Sequence, residues 1–339
     1  MVGVSRRNLL KAAALSVPAS LAMPYISARA ARKFTYKYGN NLTLTHPLNI
    51  RAAEAADRIR QETDGDLDIR IFPSNQLGGD TDMLNQVRTG AIDFFTPSAF
   101  VISTLVPLAP INAVGFAFPD YDHVWAAMDG DLGTFISKEI DKAGLHLMRT
   151  VWDNGFRQLT TYDVDVKTPD DLVGLKVRVP VSQFCISLFE ALGAAPTSMQ
   201  FSEVYTALQT KIVDAQENPL PILQTAKLYE VQQYCMLTNH MWDGFYFVAS
   251  GKTWERLPED MRTIAENALN DSGRKQREDI AKLNTSLQAD LEAEGMTFRH
   301  PDPEQFRSVL TEKGFYIQWH EKFGDEAWSC LEKYVGKLG

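Results

Sequence analysis

Residues 174–180 read Gly174-Leu175-Lys176-Val177-Arg178-Val179-Pro180, and residues 216–219 read Gln216-Glu217-Asn218-Pro219. In the first run aliphatic residues alternate with Lys176 and Arg178, which is the period-2 pattern of a β-strand. Pro180 ends the strand because proline has no N–H to donate. Arg178 therefore lies at the carboxyl end of a strand, where open α/β sheets bind their ligands. A planar guanidinium there suits a carboxylate, although a solvated arginine on a half-buried strand fits the same pattern.

The end of this segment is predicted to contain a second strand and a helix start. Residues 211–215 predict the strand, and Asn218-Pro219 predicts an N-cap followed by proline at the first helical position. Asn218 can cap its own helix, which is the simpler interpretation, or offer its amide to a ligand at the helix start.

Strand and helix patterns alternate in the chain before this segment. The sequence predicts strands at 34–38, 67–71 and 91–95, separated by helices at 46–62 and 81–89. Such alternation is typical of a mostly parallel sheet with right-handed crossovers. Later, residues 241–250 predict a strand that crosses back to the first lobe of the fold. Residues 258–296 predict a long amphipathic helical region, and residues 303–338 predict more helix. The fold class is therefore α/β.

Composition and missing motifs limit the possible functions. The 339 residues carry a formal net charge of -9, which argues against nucleic-acid binding. Three cysteines without C-x-x-C spacing leave at most one disulfide and no cysteine zinc site. The sequence contains no G-x-G-x-x-G after a strand, no P-loop and no G-x-S-x-G motif. We predict no enzymatic activity, no cofactor and no metal.

The first 30 residues predict a cleaved export signal. Residues 5–11 read Ser5-Arg6-Arg7-Asn8-Leu9-Leu10-Lys11, a twin-arginine pattern, and an apolar run follows at 12–22. Ala28-Arg29-Ala30 gives an A-x-A cleavage site. The apolar run is too short to span a bilayer. Residues 94–119 have no charged residue, but four prolines along them argue against a membrane span.

Several longer runs resemble one known family. They are Ala191-Leu192-Gly193-Ala194, the run from Phe201-Ser202-Glu203-Val204-Tyr205 to Thr210, Gln216-Glu217-Asn218-Pro219, Tyr229-Glu230-Val231-Gln232 and Thr238-Asn239-His240. In this order and spacing they closely resemble the substrate-binding proteins of TRAP transporters, of the DctP type. The resemblance implies a periplasmic two-lobe binding fold with discontinuous domains, a hinge of crossing strands and a long C-terminal helical region. It implies lobe I at 31–153 plus about 241–283, and lobe II at 154–240 plus about 284–339 with the C-terminal helices.

The resemblance also implies a site that holds an organic acid between the lobes. The predicted ligand-binding residues are Arg178, Arg157, Asn218, Asn41, Asp80, Ser98, Phe201, Trp152, Asp153 and Trp242. Arg178 is the predicted primary clamp on the carboxylate, with Arg157 and Asn218 at the same end of the site. Phe201 and the two tryptophans would supply apolar walls.

The class of acid stays open at this point. Trp152-Asp153 resembles the pairing used for sugar rings and favours a sugar acid such as a uronate, whereas the many aromatic residues also suit an aromatic acid. Ser98 replaces an acidic residue of the sialic-acid binders, so a sialic acid is disfavoured. Lys211 and Ala215 replace glycines of many members, which suggests a different backbone beside Asn218.

The expected partners are a small organic acid and the membrane-embedded permease subunits of a TRAP transporter, and the protein is expected to be a monomer or a weak dimer. Two other functions remain open from the sequence. One is a ligand-sensing module that signals to a receptor, and the other is a secreted enzyme that acts on uronic acids.

Overall fold

The computed structural model describes residues 33–339, so the predicted twin-arginine signal and its cleavage site lie outside the described residues. The strands are β1 (Phe34–Gly39), β2 (Leu67–Phe72), β3 (Phe94–Phe95), β4 (Leu145–Leu147), β5 (Trp152–Phe156), β6 (Gln158–Thr161), β7 (Lys176–Val179), β8 (Ala195–Ser198), β9 (Ala215–Asn218), β10 (Tyr234–Met236), β11 (Trp242–Phe245), β12 (Val248–Ser250) and β13 (Thr297–Arg299).

The α-helices are α1 (Pro47–Glu62), α2 (Asp80–Thr89), α3 (Ala99–Ile102), α4 (Tyr121–Met128), α5 (Asp131–Lys142), α6 (Gln183–Ala191), α7 (Val204–Gln209), α8 (Leu220–Thr225), α9 (Gly251–Trp254), α10 (Glu259–Asn284), α11 (Leu287–Ala293), α12 (Pro303–Glu312) and α13 (Phe315–Val335). Short 3-10 helices occupy Ala109–Ala113, Pro169–Leu172, Phe201–Glu203 and Leu228–Glu230.

The first lobe is built on a five-stranded sheet in the order β2-β1-β3-β12-β4. β1 is parallel to both β2 and β3, so helices α1 and α2 form the crossovers between parallel strands. β12 lies antiparallel between β3 and β4 and comes from a part of the chain far beyond both. The single strand predicted at 241–250 is two strands, β11 and β12, and β12 returns to the first lobe as predicted.

The second lobe is built on a six-stranded sheet in the order β13-β10-β6-β9-β7-β8. At its centre, β7 is parallel to β8 and β9, and β6 is antiparallel to β9 and β10. The predicted strand at 211–215 is wrong, because Lys211 has a left-handed backbone with φ 57° and the strand β9 begins only at Ala215. Asn218 ends β9 and is not an N-cap, since Pro219 holds that position for α8.

A two-stranded antiparallel sheet, β5 with β11, connects the lobes. β5 follows a first-lobe strand and precedes a second-lobe strand, and β11 makes the same crossing in the opposite direction. Helix α10 fixes this hinge, because the Gln276 side chain accepts from the backbone N–H of Asp153 at 2.8 Å and donates to its carbonyl at 2.7 Å. The hinge strands are almost completely buried.

The last helix, α13, contacts elements of both lobes. Trp319 packs against Phe184 of α6, with ring centroids 4.7 Å apart, and the Tyr334 hydroxyl accepts from the backbone N–H of Asp131 at 3.0 Å. The domain boundaries given above stay predictions. Within residues 33–339 no helix is long and apolar enough to cross a membrane, and all three cysteines are free thiols.

Candidate ligand-binding site

A small cavity lies between the two lobes, with about 30 Å³ of space for water-sized groups. Its lining consists of Asn41, Leu42, Asp80, Ser98, Val101, Asn154, Arg157, Arg178, Pro180, Phe201, Asn218, Ile222 and Phe245. Several of these residues stand at or just beyond the carboxyl ends of β1, β3, β7 and β9. This is the edge at which open α/β sheets place their ligands, since the connecting loops leave a crevice there.

Arg178 is a buried guanidinium without a carboxylate partner. It lies near the end of β7 and is only 3 % exposed, so the interpretation as a solvated arginine is wrong. Its Nε and Nη2 both donate to the Met199 carbonyl, at 3.2 and 2.7 Å, and no ion pair to it occurs among residues 33–339. Burial lowers the pKa of Arg178 to about 10. Since a guanidinium has five N–H donors, Arg178 keeps donors for a ligand.

Arg157 is equally buried but is fully compensated. Its Nε and Nη2 donate to the two carboxylate oxygens of Glu217, and its Nη1 lies 3.2 Å from Oδ2 of Asp243. Burial opposes the charge, but attraction from Glu217 and Asp243 outweighs it and raises the pKa of Arg157. Nη2 also donates to Oδ1 of Asn218 at 3.2 Å. Arg157 therefore orients Asn218 and the floor of the cavity, besides lining it.

The first-lobe wall of the cavity is built from a carboxylate held by amides. Asp80 is buried, and its two oxygens accept from Nδ2 of Asn41 at 3.1 Å and from Nδ2 of Asn75 at 3.2 Å. Burial raises the pKa of Asp80, while these hydrogen bonds and the charge of Arg178 act in the opposite direction. Ser98, the N-cap of α3, stands beside this wall and makes no side-chain capping bond.

Two amide oxygens of the lining have no hydrogen-bond partner among the described residues. They are Oδ1 of Asn41 and Oδ1 of Asn154, and both atoms are buried. In each residue the Nδ2 group donates to a carboxylate, to Asp80 for Asn41 and to Asp243 for Asn154. A carboxylate accepts only, so the free atom of each amide must be its carbonyl oxygen. Both residues line the cavity, so donor groups of a ligand can pair with these two acceptors.

Seven of the ten sequence-predicted residues line the cavity, and three do not. Trp152 is buried in the core and packs on Phe247 at 5.5 Å between centroids. The Trp242 Nε1 donates to Oδ1 of Asp153 at 3.0 Å, which ties both residues into the hinge. Burial raises the pKa of Asp153 to about 7. The structure therefore does not support the stacking of a sugar ring on Trp152 or on Trp242.

Asn154 and Phe245 line the cavity although the sequence predicted neither, and Asn154 directly follows the predicted Asp153. Successive strand residues point to opposite faces, so the residue after Asp153 faces the cavity when Asp153 faces the hinge. Because both faces of β5 are buried, the sequence carries no signal that selects Asn154 over Asp153. Apolar walls come from Phe201 and Phe245, and the Arg178 guanidinium lies over the Phe201 ring at 5.9 Å.

No metal site accompanies the cavity in the part of the chain that the structure describes, where no group of three His, Cys, Asp or Glu side chains could hold an ion. The chemistry of the lining is that of a binding site for an organic anion. One unpaired cation, two free acceptors and aromatic walls are placed between two lobes that a hinge connects.

Comparisons with known proteins agree with this geometry. A family model described as "Bacterial extracellular solute-binding protein, family 7" matches residues 38–314. The chain is 32 % identical to the 2,3-diketo-L-gulonate-binding periplasmic protein of Escherichia coli over 78 % of this chain and 80 % of that protein. It is 32 % identical to the C4-dicarboxylate-binding periplasmic protein of Rhodobacter capsulatus, over 80 % of this chain and 77 % of that one.

Among solved structures, the sugar acid binding protein of Advenella mimigardefordensis in complex with galactonate is similar, with a TM-score of 0.85 and 29 % identity. The match covers 91 % of this chain and 99 % of that one. The family resemblance and the two-lobe α/β fold that the sequence predicts are therefore confirmed.

Proposed function

Because the chain belongs to family 7 of the bacterial extracellular solute-binding proteins, the periplasmic binding proteins of TRAP transporters, we propose that it binds a hydroxylated monocarboxylate, such as a sugar acid, and delivers it to a membrane permease. Proteins of this family bind organic acids and are not enzymes. The proposal concerns the kind of acid, the residues that hold it and the partner that receives it.

The observation that carries the proposal is the contrast between the two buried arginines. Arg157 has two carboxylates, whereas Arg178 has only the Met199 carbonyl. A charge removed from water is costly unless it is paired. A ligand carboxylate supplies the missing charge, and the planar guanidinium can bind it through two hydrogen bonds. Arg178 is the clamp in this proposal, with Asn218 beside it.

The two free amide oxygens support a hydroxylated ligand. Oδ1 of Asn41 and Oδ1 of Asn154 accept hydrogen bonds only, so they favour hydroxyl groups and disfavour a second carboxylate. The nearby carboxylate of Asp80 adds to that preference when it is ionised. An aromatic acid without hydroxyls would leave both oxygens unpaired, at a cost in affinity. The galactonate bound to the Advenella protein and the 2,3-diketo-L-gulonate of the Escherichia protein's name belong to the hydroxylated class.

The experiment is isothermal titration calorimetry of the chain from residue 31 with three compounds. We expect galactonate to bind, galactonamide to fail because it lacks the charge, and succinate to bind more weakly because its second carboxylate meets acceptors. Arg178→Met should weaken galactonate binding by at least about 30-fold, because the carboxylate loses its counter-charge. Arg149→Met, a change at an exposed arginine, serves as the matched control. Tight binding of galactonamide, or of galactonate by Arg178→Met, would contradict the clamp.

Export and delivery complete the proposal. The twin-arginine pattern at residues 5–11 supports export of the chain through a cleaved signal peptide. Cell fractionation tests the export. Cells that express the native chain are compared with cells that express an Arg6→Lys, Arg7→Lys double variant, which should stay in the cytoplasm with its signal attached. The family supports delivery to a permease, and genes for permease subunits beside this gene would support it further, whereas a gene for a sensor kinase would favour signalling.

A further inference from the structure

The first-lobe helix α2 begins at an N-cap residue that has no side chain to accept from the first turn, although Asp82 accepts from the backbone N–H of Gly79 at 3.2 Å. Its N-cap is Gly79, which has no side chain, and the backbone N–H of Asp80 is among the helical N–H groups that have no acceptor within the helix. The acceptor for this N–H is Oε1 of Gln200, at 3.0 Å. Gln200 belongs to the second lobe, between β8 and the 3-10 helix Phe201–Glu203.

The Gln200 side chain makes a second bond across the cleft. Its Nε2 donates to Oγ1 of Thr81 at 2.6 Å. One amide therefore uses its acceptor and its donor on two consecutive residues of the opposite lobe. The donor and acceptor assignment of Gln200 is fixed, because the backbone N–H of Asp80 can only donate.

Gln200 is also placed directly between two residues of the ligand site. The carbonyl of Met199 accepts both hydrogen bonds of Arg178, and the ring of Phe201 lines the cavity. On the other side of the cleft, Asp80 receives Gln200 at its backbone N–H and lines the cavity with its side chain. The cross-lobe bonds and the ligand contacts therefore depend on the same approach of the two lobes.

We propose that Gln200 is a latch that holds the lobes together over the bound acid and determines affinity without touching the acid. The latch rests on the proposed function in one respect, because the acid is taken to lie between the lobes. Opening of the hinge breaks both bonds of Gln200, so they stabilise the closed state alone. A ligand that needs the closed state binds more weakly as the closed fraction falls.

The test compares Gln200→Met with Gln288→Ala in the chain from residue 31. Methionine keeps the length of the side chain and removes both bonds. Gln288 bonds only to Glu292 of its own helix, so its replacement is a matched control. We expect Gln200→Met to raise the Kd for galactonate by about 5- to 50-fold, mostly through faster release, because the ligand contacts stay intact.

A double-mutant cycle with Thr81→Val separates the latch from a general loss of stability. Thr81→Val removes one of the two bonds and should raise the Kd by about 2- to 10-fold. Added to Gln200→Met, it should cause no further increase, since its partner is already lost. A third variant acts from the first lobe, because a Cβ at Gly79 would lie 3.3 Å from Cδ of Gln200. Gly79→Ala should therefore displace the side chain and speed release.

Amide exchange of Asp80, followed by NMR, gives a readout that needs no ligand affinity. In the latch its N–H is protected, and Gln200→Met should speed its exchange while Gln288→Ala leaves it unchanged. Equal exchange rates in both variants, or additive effects of Thr81→Val and Gln200→Met on the Kd, would overturn the latch. If galactonate fails to bind the unmodified protein, the sugar-acid proposal fails, and the exchange rates of Asp80 without ligand alone confirm or overturn the latch.

Discussion

The same substitution at the two buried arginines should change the free energy of unfolding by very different amounts. Arg157→Met leaves Glu217 and Asp243 as buried carboxylates without their cation. Loss of one partner from a buried ion pair costs about 3–5 kcal/mol, so we expect the free energy of unfolding to fall by that amount. Arg178→Met removes a buried cation that has no ion pair among residues 33–339 and that Glu217 and Asp80 attract only from a distance, so the free energy of unfolding should stay within about 1 kcal/mol of the unmodified protein or rise.

The affinity for galactonate tests Arg178 separately from its effect on stability. Loss of the clamp at Arg178 should weaken galactonate binding by about 2–5 kcal/mol, which is roughly 30-fold to several thousand-fold in Kd. Urea unfolding followed by circular dichroism measures the stability of each variant, and calorimetry measures the affinity. Arg149→Met, at the surface, controls for the loss of any positive charge. If Arg178→Met destabilised the fold as strongly as Arg157→Met, Arg178 would be a structural residue and the reasoning from its missing partner would be refuted.

Three further predictions concern the hinge and the polar wall. Burial raises the pKa of Asp153 to about 7, above the value of an aspartate in an unfolded chain. The stability that protonated Asp153 contributes is therefore complete below about pH 4 and is lost as the pH rises through 7. The free energy of unfolding should fall over that range by up to about 1.4 kcal/mol per pH unit. Asp153→Asn should therefore flatten the curve of unfolding free energy against pH between 6 and 7, and an unchanged slope would assign the titration to another group. Gly273→Ala should destabilise by about 1–3 kcal/mol in thermal unfolding, because its Cβ would lie 2.6 Å from Nε1 of Trp152, and an unchanged midpoint would show that the hinge can yield. Asn41→Ala should weaken galactonate by about 10-fold and leave succinate nearly unchanged in calorimetry, while equal losses for both acids would refute the assignment of its oxygen to a hydroxyl.

The sequence identifies three charged residues that line the candidate cavity, Arg178, Arg157 and Asp80. Arg178 is identified because a strand pattern, a proline that ends the strand and a charged residue before that proline coincide in seven residues. What the sequence cannot give is the partner of each arginine. Glu217 and Asp243 pair with Arg157 across 60 or more positions, and nothing local distinguishes Arg157 from Arg178, with which neither carboxylate forms an ion pair.

The aromatic part of the site is predicted poorly for a different reason. A strand with one face in water shows its orientation by alternating polar and apolar residues. In β5 and β11 both faces are buried, so Trp152, Asp153 and Asn154 give no sign of which side chain faces the cavity. A shift of one residue reverses the faces, and the sequence therefore favoured Asp153 where the cavity has Asn154. The missed strand β8 contains Pro196 and lies at the edge of its sheet, where proline is tolerated.

The position of β12 in the first sheet has a consequence for the order in which the protein acquires its structure. This strand lies between β3 and β4 and pairs with both, yet it leaves the ribosome only after five of the six strands of the second lobe. Contacts between such distant residues make folding slow, and the N-terminal lobe cannot be finished first, as is usual during synthesis. Until Ser250 has been added, β3 and β4 expose unpaired edges that can pair with another chain. Nascent chains and C-terminal truncations that end before Val248 are therefore the forms of this protein most exposed to aggregation.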